Sequence, residues 1–214
     1  MAITPDLFLT RRGLLITGLL GVATPVLAKG AKIVTILGDS ITAGLGLPAA
    51  QALPARLEAA LAKAGSPVKV RGAGVSGDTS AAGLARVDFS VQADTDLCIV
   101  ALGGNDLLQG LEPKSTQANI DAIVRRLKAR RIGVLIAGMQ APPAIGRGYV
   151  RDFDAVFPAV AKAERVALYP NLLAGVGQTV GLNQRDGIHP NAQGVEIIAG
   201  RLAPVVIKAL KGRA

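Results

Sequence analysis

The sequence predicts an α/β protein, a three-layer α/β/α sandwich around a five-stranded parallel sheet. Short apolar, β-branched runs alternate with amphipathic helical stretches five times. That rhythm builds right-handed crossovers and a parallel sheet covered on both faces. The chain has 214 residues and is 50% hydrophobic, with 26 glycines and 12 prolines, which suits one domain with a sizeable core. No internal repeat or low-complexity tract breaks the pattern.

The first strand is read from Ile33-Val34-Thr35-Ile36-Leu37, short, β-branched and ended by Gly38. Gly38-Asp39-Ser40 follows, so Ser40 is the first side chain past the strand's carboxyl end, the edge where open α/β sheets hold their ligands. The glycines of Ala43-Gly44-Leu45-Gly46 lack the Lys-Ser/Thr pair of a phosphate loop, and Thr42 stands where a nucleophile elbow needs its second glycine. Leu53, Leu57, Ala60, Leu61 and Ala64 share one helical face, which Gly65 ends.

Val68-Lys69-Val70 is the second strand. The glycine-rich stretch Gly72 to Ser80 reads as a strand-to-helix loop, with Asp78, Thr79 or Ser80 free to cap the next helix. Residues 96–102 form the third strand. Asn105, in Gly103-Gly104-Asn105-Asp106, either caps a turn or aims its amide at a ligand. Ile120, Ile123, Val124 and Leu127 are the buried stripe of a helix whose Arg125, Arg126 and Lys128 face water.

Residues 132–139 are the fourth strand, followed by a long, mostly apolar loop over residues 140–148. Val150, Phe153, Phe157 and Val160 mark one further helix, and residues 166–169 a short fifth strand. In the last helix Val195, Ile198, Ala199 and Leu202 share a face, and Pro204 is expected to kink it or end its first part. The loops at 38–44, 72–79 and 103–106 all follow strands, so they converge on one edge of the sheet.

The formal net charge is +9, but the cations are scattered and aromatics are 3% of residues. No stacking or groove-reading motif is present, so nucleic-acid binding is not expected. Cys98 is the only cysteine, so no internal disulfide can form; it lies in an apolar strand-like run and fills core space. One His and one Cys do not make an ordinary zinc site; carboxylate-bound metals are not excluded by count, but no EF-hand loop is present.

Residues 1–28 read as a signal peptide. Arg11-Arg12 precedes an apolar, small-residue stretch from Gly13 to Ala28, too short for a comfortable membrane span and ending in Val26-Leu27-Ala28. The paired arginines favour a twin-arginine export signal over an ordinary secretory one. The mature domain, 29–214, is expected in the periplasm or outside the cell, as a monomer without a membrane span.

Four blocks, in order, resemble those of the SGNH (GDSL-type) hydrolases. They are Gly38-Asp39-Ser40, Gly77 in Ser76-Gly77-Asp78-Thr79, Asn105 in Gly103-Gly104-Asn105-Asp106, and Asp186-Gly187-Ile188-His189-Pro190, which holds the single histidine. The wider text, with Gly138-Met139-Gln140 and Pro142-Pro143, is similar to the bacterial thioesterase/arylesterase/lysophospholipase subgroup. Gly72 departs from the Asn that relatives often carry there, a change that touches a supporting hydrogen bond only.

The resemblance implies a flavodoxin-like fold and a serine hydrolase cleaving acyl esters and thioesters with no metal or organic cofactor, a lysophospholipase or a carbohydrate O-acetyl esterase being close alternatives on the same machinery. In it Ser40 is the nucleophile and His189 the base, a residue type that ordinarily titrates near neutrality. Asp186 orients the imidazole. The Ser40 and Gly77 N–H groups and the Asn105 amide form the oxyanion hole. Asp39, Asp78 and Asp106 are local caps or loop ties. As a substrate-binding hypothesis, Leu107, Leu108 and Leu111, at helical spacing, face Pro142, Pro143 and Ile145 across an acyl groove. The rival reading is a noncatalytic envelope protein that binds lipid or glycan in the same cleft.

Overall fold

The computed structural model describes residue 1 and residues 31–212. The expected signal peptide, residues 1–28, lies outside the described residues apart from residue 1. Five parallel strands form one sheet in the order β2-β1-β3-β4-β5: β1 Ile33–Gly38, β2 Lys69–Gly74, β3 Leu97–Ala101, β4 Gly133–Ala137 and β5 Ala167–Tyr169. The α/β fold with a five-stranded parallel sheet is the expected one. The central strands β1, β3 and β4 are buried almost throughout, as a sheet covered on both faces requires.

The helices are α1 Ser40–Ala43, α2 Leu53–Lys63, α3 Ser80–Ser90, α4 Gly104–Leu108, α5 Pro113–Ala129, α6 Arg147–Asp154, α7 Val156–Glu164 and α8 Ala192–Lys211. Helices α2 and α8 pack on each other, and α3, α5 and α7 form a second packed group. The stripes read from the sequence are the buried ones: Leu53, Leu57 and Leu61 in α2, Ile120, Ile123, Val124 and Leu127 in α5, and Val195, Ile198, Ala199 and Leu202 in α8. Cys98 is buried in β3, and desolvation pushes its thiol up to about 12, so it acts as core filling rather than as a thiolate.

Two expectations are corrected and a third is narrowed. The strand expected at 68–70 runs on through Gly74, because each residue from Lys69 to Gly74 pairs with β1. A Cβ on Gly74 would lie 2.4 Å from the Ala43 nitrogen and 2.7 Å from the Asp39 carbonyl oxygen, so the glycine lets α1 rest on the strand end. The single helix expected around Phe153 and Phe157 is two, α6 and α7. Pro158 has no N–H for the Asp154 carbonyl four residues back, which is where α6 ends. Pro204 does not end α8. It and Gly200, whose carbonyl loses its partner, are both exposed, so water can take that bond.

Candidate active site

At the carboxyl end of β1 the chain turns at once into the one-turn helix α1. Asp39 caps it by accepting from the Ile41 N–H at 3.0 Å, and Gly44, at φ 75°, closes it. Ser40 is thereby fixed in the first turn, 8% exposed. The last loop, between β5 and α8, brings in His189. Its Nε2 is 2.8 Å from Ser40 Oγ, and its Nδ1 is 2.6 Å from Asp186 Oδ2. With Nδ1–H donated to Asp186, Nε2 is left to accept from the serine hydroxyl.

The Asp186–His189 pair is built within one turn. Asp186 Oδ1 accepts from the backbone N–H groups of Ile188 at 2.9 Å and His189 at 3.0 Å. These bonds, with the His189 side chain the largest contributor, hold the Asp186 carboxyl down at about 2. Asp186 is therefore a carboxylate throughout the neutral range.

Asn105 sits in the first turn of α4, two residues after Gly103, which adopts φ 111°. Its Nδ2 donates to the Asp78 carbonyl at 2.9 Å, committing one amide hydrogen and leaving the other. Gly77, at φ 87°, stands in the turn between β2 and α3, one residue before that carbonyl. Arg86 braces the same turn. Its Nε donates to Asp78 Oδ2 at 2.6 Å, its Nη2 to the Gly38 carbonyl at 2.8 Å and its Nη1 to the Ala73 carbonyl at 3.0 Å. One guanidinium thus ties the ends of β1 and β2 to the loop that meets Asn105.

The neighbouring carboxylates are the ties the sequence indicated. Asp39 caps α1, Asp78 pairs with Arg86, and buried Asp106 accepts from the Ser80 N–H at 2.7 Å, from the Ser80 hydroxyl at 2.5 Å and from Thr116 Oγ1 at 3.0 Å. Asp39 is 2% exposed, and burial raises its carboxyl to about 6 against the bond from Ile41 and the nearby His189.

Beside Ser40 lies a cavity of about 350 Å³. Ser40, Asn105, His189, Leu107, Leu108 and Pro142 line it. Gly77 and Asp186 stand outside the lining, Asp186 behind the imidazole it holds. Leu111, Pro143 and Ile145 do not line it either. Helix α4 ends at Leu108, so the helical spacing that would carry Leu111 back to the wall stops one turn early. After Pro142 the chain leaves the wall in a short 3-10 turn, Pro143–Ile145, which is exposed.

Sequence reasoning missed Ile41 and Ile188, each beside a site residue, and the wall formed by Asn171, Leu173 and Gln178. The signal for that wall was topological. The stretch after β5 also follows a strand, so it had to reach the same edge.

Among known proteins, residues 36–197 match the GDSL-like Lipase/Acylhydrolase family. The chain is 40% identical over 180 residues to "Esterase TesA" of Pseudomonas aeruginosa, covering 84% of this chain and 90% of that one. It is 37% identical over 177 residues to "Thioesterase 1/protease 1/lysophospholipase L1" of Escherichia coli strain K12, covering 82% and 84%. The crystal structure of AlinE4, an SGNH-hydrolase family esterase, superposes with a TM-score of 0.70 at 42% identity, covering 84% of this chain and 97% of that one.

Proposed function

This chain belongs to the GDSL-like lipase/acylhydrolase (SGNH hydrolase) family, and we propose that it is an exported serine esterase that cleaves acyl esters and acyl thioesters through an acyl-enzyme on Ser40. The observation that carries this reading is the unbroken line from Ser40 Oγ through His189 to Asp186, at 2.8 and 2.6 Å.

His189 Nε2 takes the hydroxyl proton as Ser40 Oγ attacks the acyl carbonyl. Asp186, ionised, holds the imidazolium that forms. The Ser40 and Gly77 N–H groups and the uncommitted amide hydrogen of Asn105 receive the oxyanion. Collapse expels the alcohol or thiol, which takes the proton from His189. Water then attacks the acyl-serine by the same route, releasing the carboxylic acid and restoring Ser40. The acyl chain lies along Leu107, Leu108 and Pro142. The 350 Å³ volume is near the lower end of ligand sites, roughly 300–1,000 Å³, which favours short and medium chains over palmitoyl.

Export is supported by Arg11-Arg12 and the apolar stretch to Ala28. Among the described residues no helix is long and apolar enough to cross a membrane.

The test is hydrolysis of p-nitrophenyl esters from acetate to palmitate by the protein and by its Ser40→Ala form. Activity that disappears in Ser40→Ala, with labelling of Ser40 by a fluorophosphonate, is the expected result. A well-folded protein that neither hydrolyses these esters or acyl thioesters nor takes the fluorophosphonate would overturn the proposal.

A further inference from the structure

The turn between β2 and α3 supports two of the proposed oxyanion donors and has little packing to hold it. The Gly77 N–H belongs to it, and the Asn105 amide leans on it through the Asp78 carbonyl at 2.9 Å. Val75, Ser76 and Gly77 are exposed, and a Cβ on Gly77 would meet no atom within 4 Å. The Asp78 N–H donates to the Val75 carbonyl at 3.2 Å, which shapes the turn but does not place it. Its near end is tied to β1, where the Val75 N–H donates to the Gly38 carbonyl at 3.1 Å. Its far end is tied to α4, where Asp106 accepts from the Ser80 N–H at 2.7 Å. Asp78 lies between these anchors.

Arg86 holds the middle. Its Nε reaches the Asp78 carboxylate at 2.6 Å, while its Nη2 reaches the Gly38 carbonyl at 2.8 Å and its Nη1 the Ala73 carbonyl at 3.0 Å. A second bond from Nη1, to Ser90 Oγ at 3.0 Å, steadies the fork from its own helix. The Arg86 and Asp78 side chains are only 19% and 12% exposed, so solvent screens the pair weakly. Stability alone is a poor reason for such a pair, since apolar packing of similar volume serves as well. What arginine adds is a rigid planar fork that aims several donors at once. Gly38 is two residues before Ser40, so one planar group sets the nucleophile's strand and the Asp78 turn in a common frame.

We propose that Arg86 is a positioning residue for the oxyanion hole. Through Asp78 it fixes where the Gly77 N–H and the Asn105 amide stand relative to Ser40. The inference rests on the acyl-enzyme reading above. Arg86 does not line the cavity beside Ser40, so it acts on donor placement and not on binding of the ester. Misplacement of about 1 Å in such a site costs on the order of 10²-fold in rate.

The test is p-nitrophenyl butyrate hydrolysis by the full-length protein, Arg86→Lys and Asp78→Asn. Turnover is expressed per serine titrated to completion by a fluorophosphonate, so unfolded molecules drop out. Lysine keeps the charge without the fork, and asparagine keeps an acceptor without the charge, so both variants fold. The expected kcat is about 10- to 100-fold lower in Arg86→Lys and several-fold lower in Asp78→Asn, with KM within about twofold in both. In an Asn105→Ala background Arg86→Lys should cost at least about threefold less, because part of what it positions is gone. Full kcat in both variants, a loss carried by KM, or equal losses in the two backgrounds would overturn the inference and leave hydrolysis on Ser40 standing. An unsubstituted protein that neither turns over the ester nor takes the fluorophosphonate would overturn the proposed function, and this inference with it.

Discussion

At the carboxyl edge of the sheet two connections are long. The chain takes residues 138–146 to pass from β4 to α6 and residues 170–191 to pass from β5 to α8. At the amino edge it takes residues 130–132 to pass from α5 to β4 and residues 165–166 from α7 to β5. Both long connections line the cavity beside Ser40, and short, directional hydrogen bonds fix this edge: His189, on the second of them, to Ser40, and Asn105 to the Asp78 carbonyl. The short ones leave Arg131 and Arg165 in left-handed backbone around a basic cavity. One edge offers placement of single atoms, and the other offers a field of positive charge over an apolar wall. Placement fails when one atom moves, whereas a field is shared among several cations and fades by degrees.

Substitutions at the two edges should therefore differ in size. The largest loss is expected for Ser40→Ala, about 10³-fold or more in kcat for a p-nitrophenyl ester, with the fold intact by circular dichroism. Asn105→Ala should cost about 10²–10³ in kcat with little change in KM, since it acts on the oxyanion rather than on the ground state. A purely KM effect would place Asn105 in substrate binding instead.

Arg86→Ala tests the brace. It strands the Asp78 carboxylate, whose side chain is only 12% exposed, and frees two strand-end carbonyls. A loss of about 3 kcal/mol in urea unfolding is expected. An unchanged midpoint would show that the loop holds itself.

Asp39→Asn should stabilise the protein, and only above a certain pH. The Asp39 carboxyl is raised from 3.8 to about 6, so between those values the folded protein holds a proton that the unfolded chain has released. On this group's account stability is highest below pH 3.8 and falls as pH rises to about 6. Asparagine keeps the cap but carries no charge to bury. The variant should therefore gain up to about 3 kcal/mol at pH 7 and nothing at pH 3.5. An equal gain at both values would mean that burial of charge is not the cause. Arg165→Gly, at the other edge, should change stability by less than about 1 kcal/mol and leave ester hydrolysis alone.

The sheet was legible because four of its strands are apolar runs ended by glycine or a turn and alternate with helices, which calls for parallel strands, whereas their order is set by packing. Ser40, Asn105 and His189 were legible as neighbours for the same reason. Strand ends bring them to one edge, and the lone histidine leaves no other candidate for the imidazole. Leu111 and Ile145 were misplaced because hydrophobic spacing carries no information past the end of a short helix, and α4 stops at Leu108. The extension of β2 through Gly72 and Gly74 is fixed by pairing with β1 and not by local propensity, which is poor for glycine in strands. The basic cavity was invisible for a related reason. Lys128 and Arg131 are close in sequence, but Arg165 and Lys208 are far from them, and only the packing of α8 against the sheet brings the last beside the others.

The Asp186–His189 turn has a consequence for how the chain closes on itself. Asp186 and His189 are three residues apart and are held by the turn's own N–H groups, so that half of the proposed machinery is local. Its one distant bond is to Ser40, across a separation of 149 residues. Closing so long a loop costs entropy that grows only with the logarithm of its length, but it must come before the bond is rewarded. Catalytic turnover during refolding therefore acts as a stopwatch for ring closure. It starts only when the tail has found the head, however early the helices and the local turn have formed.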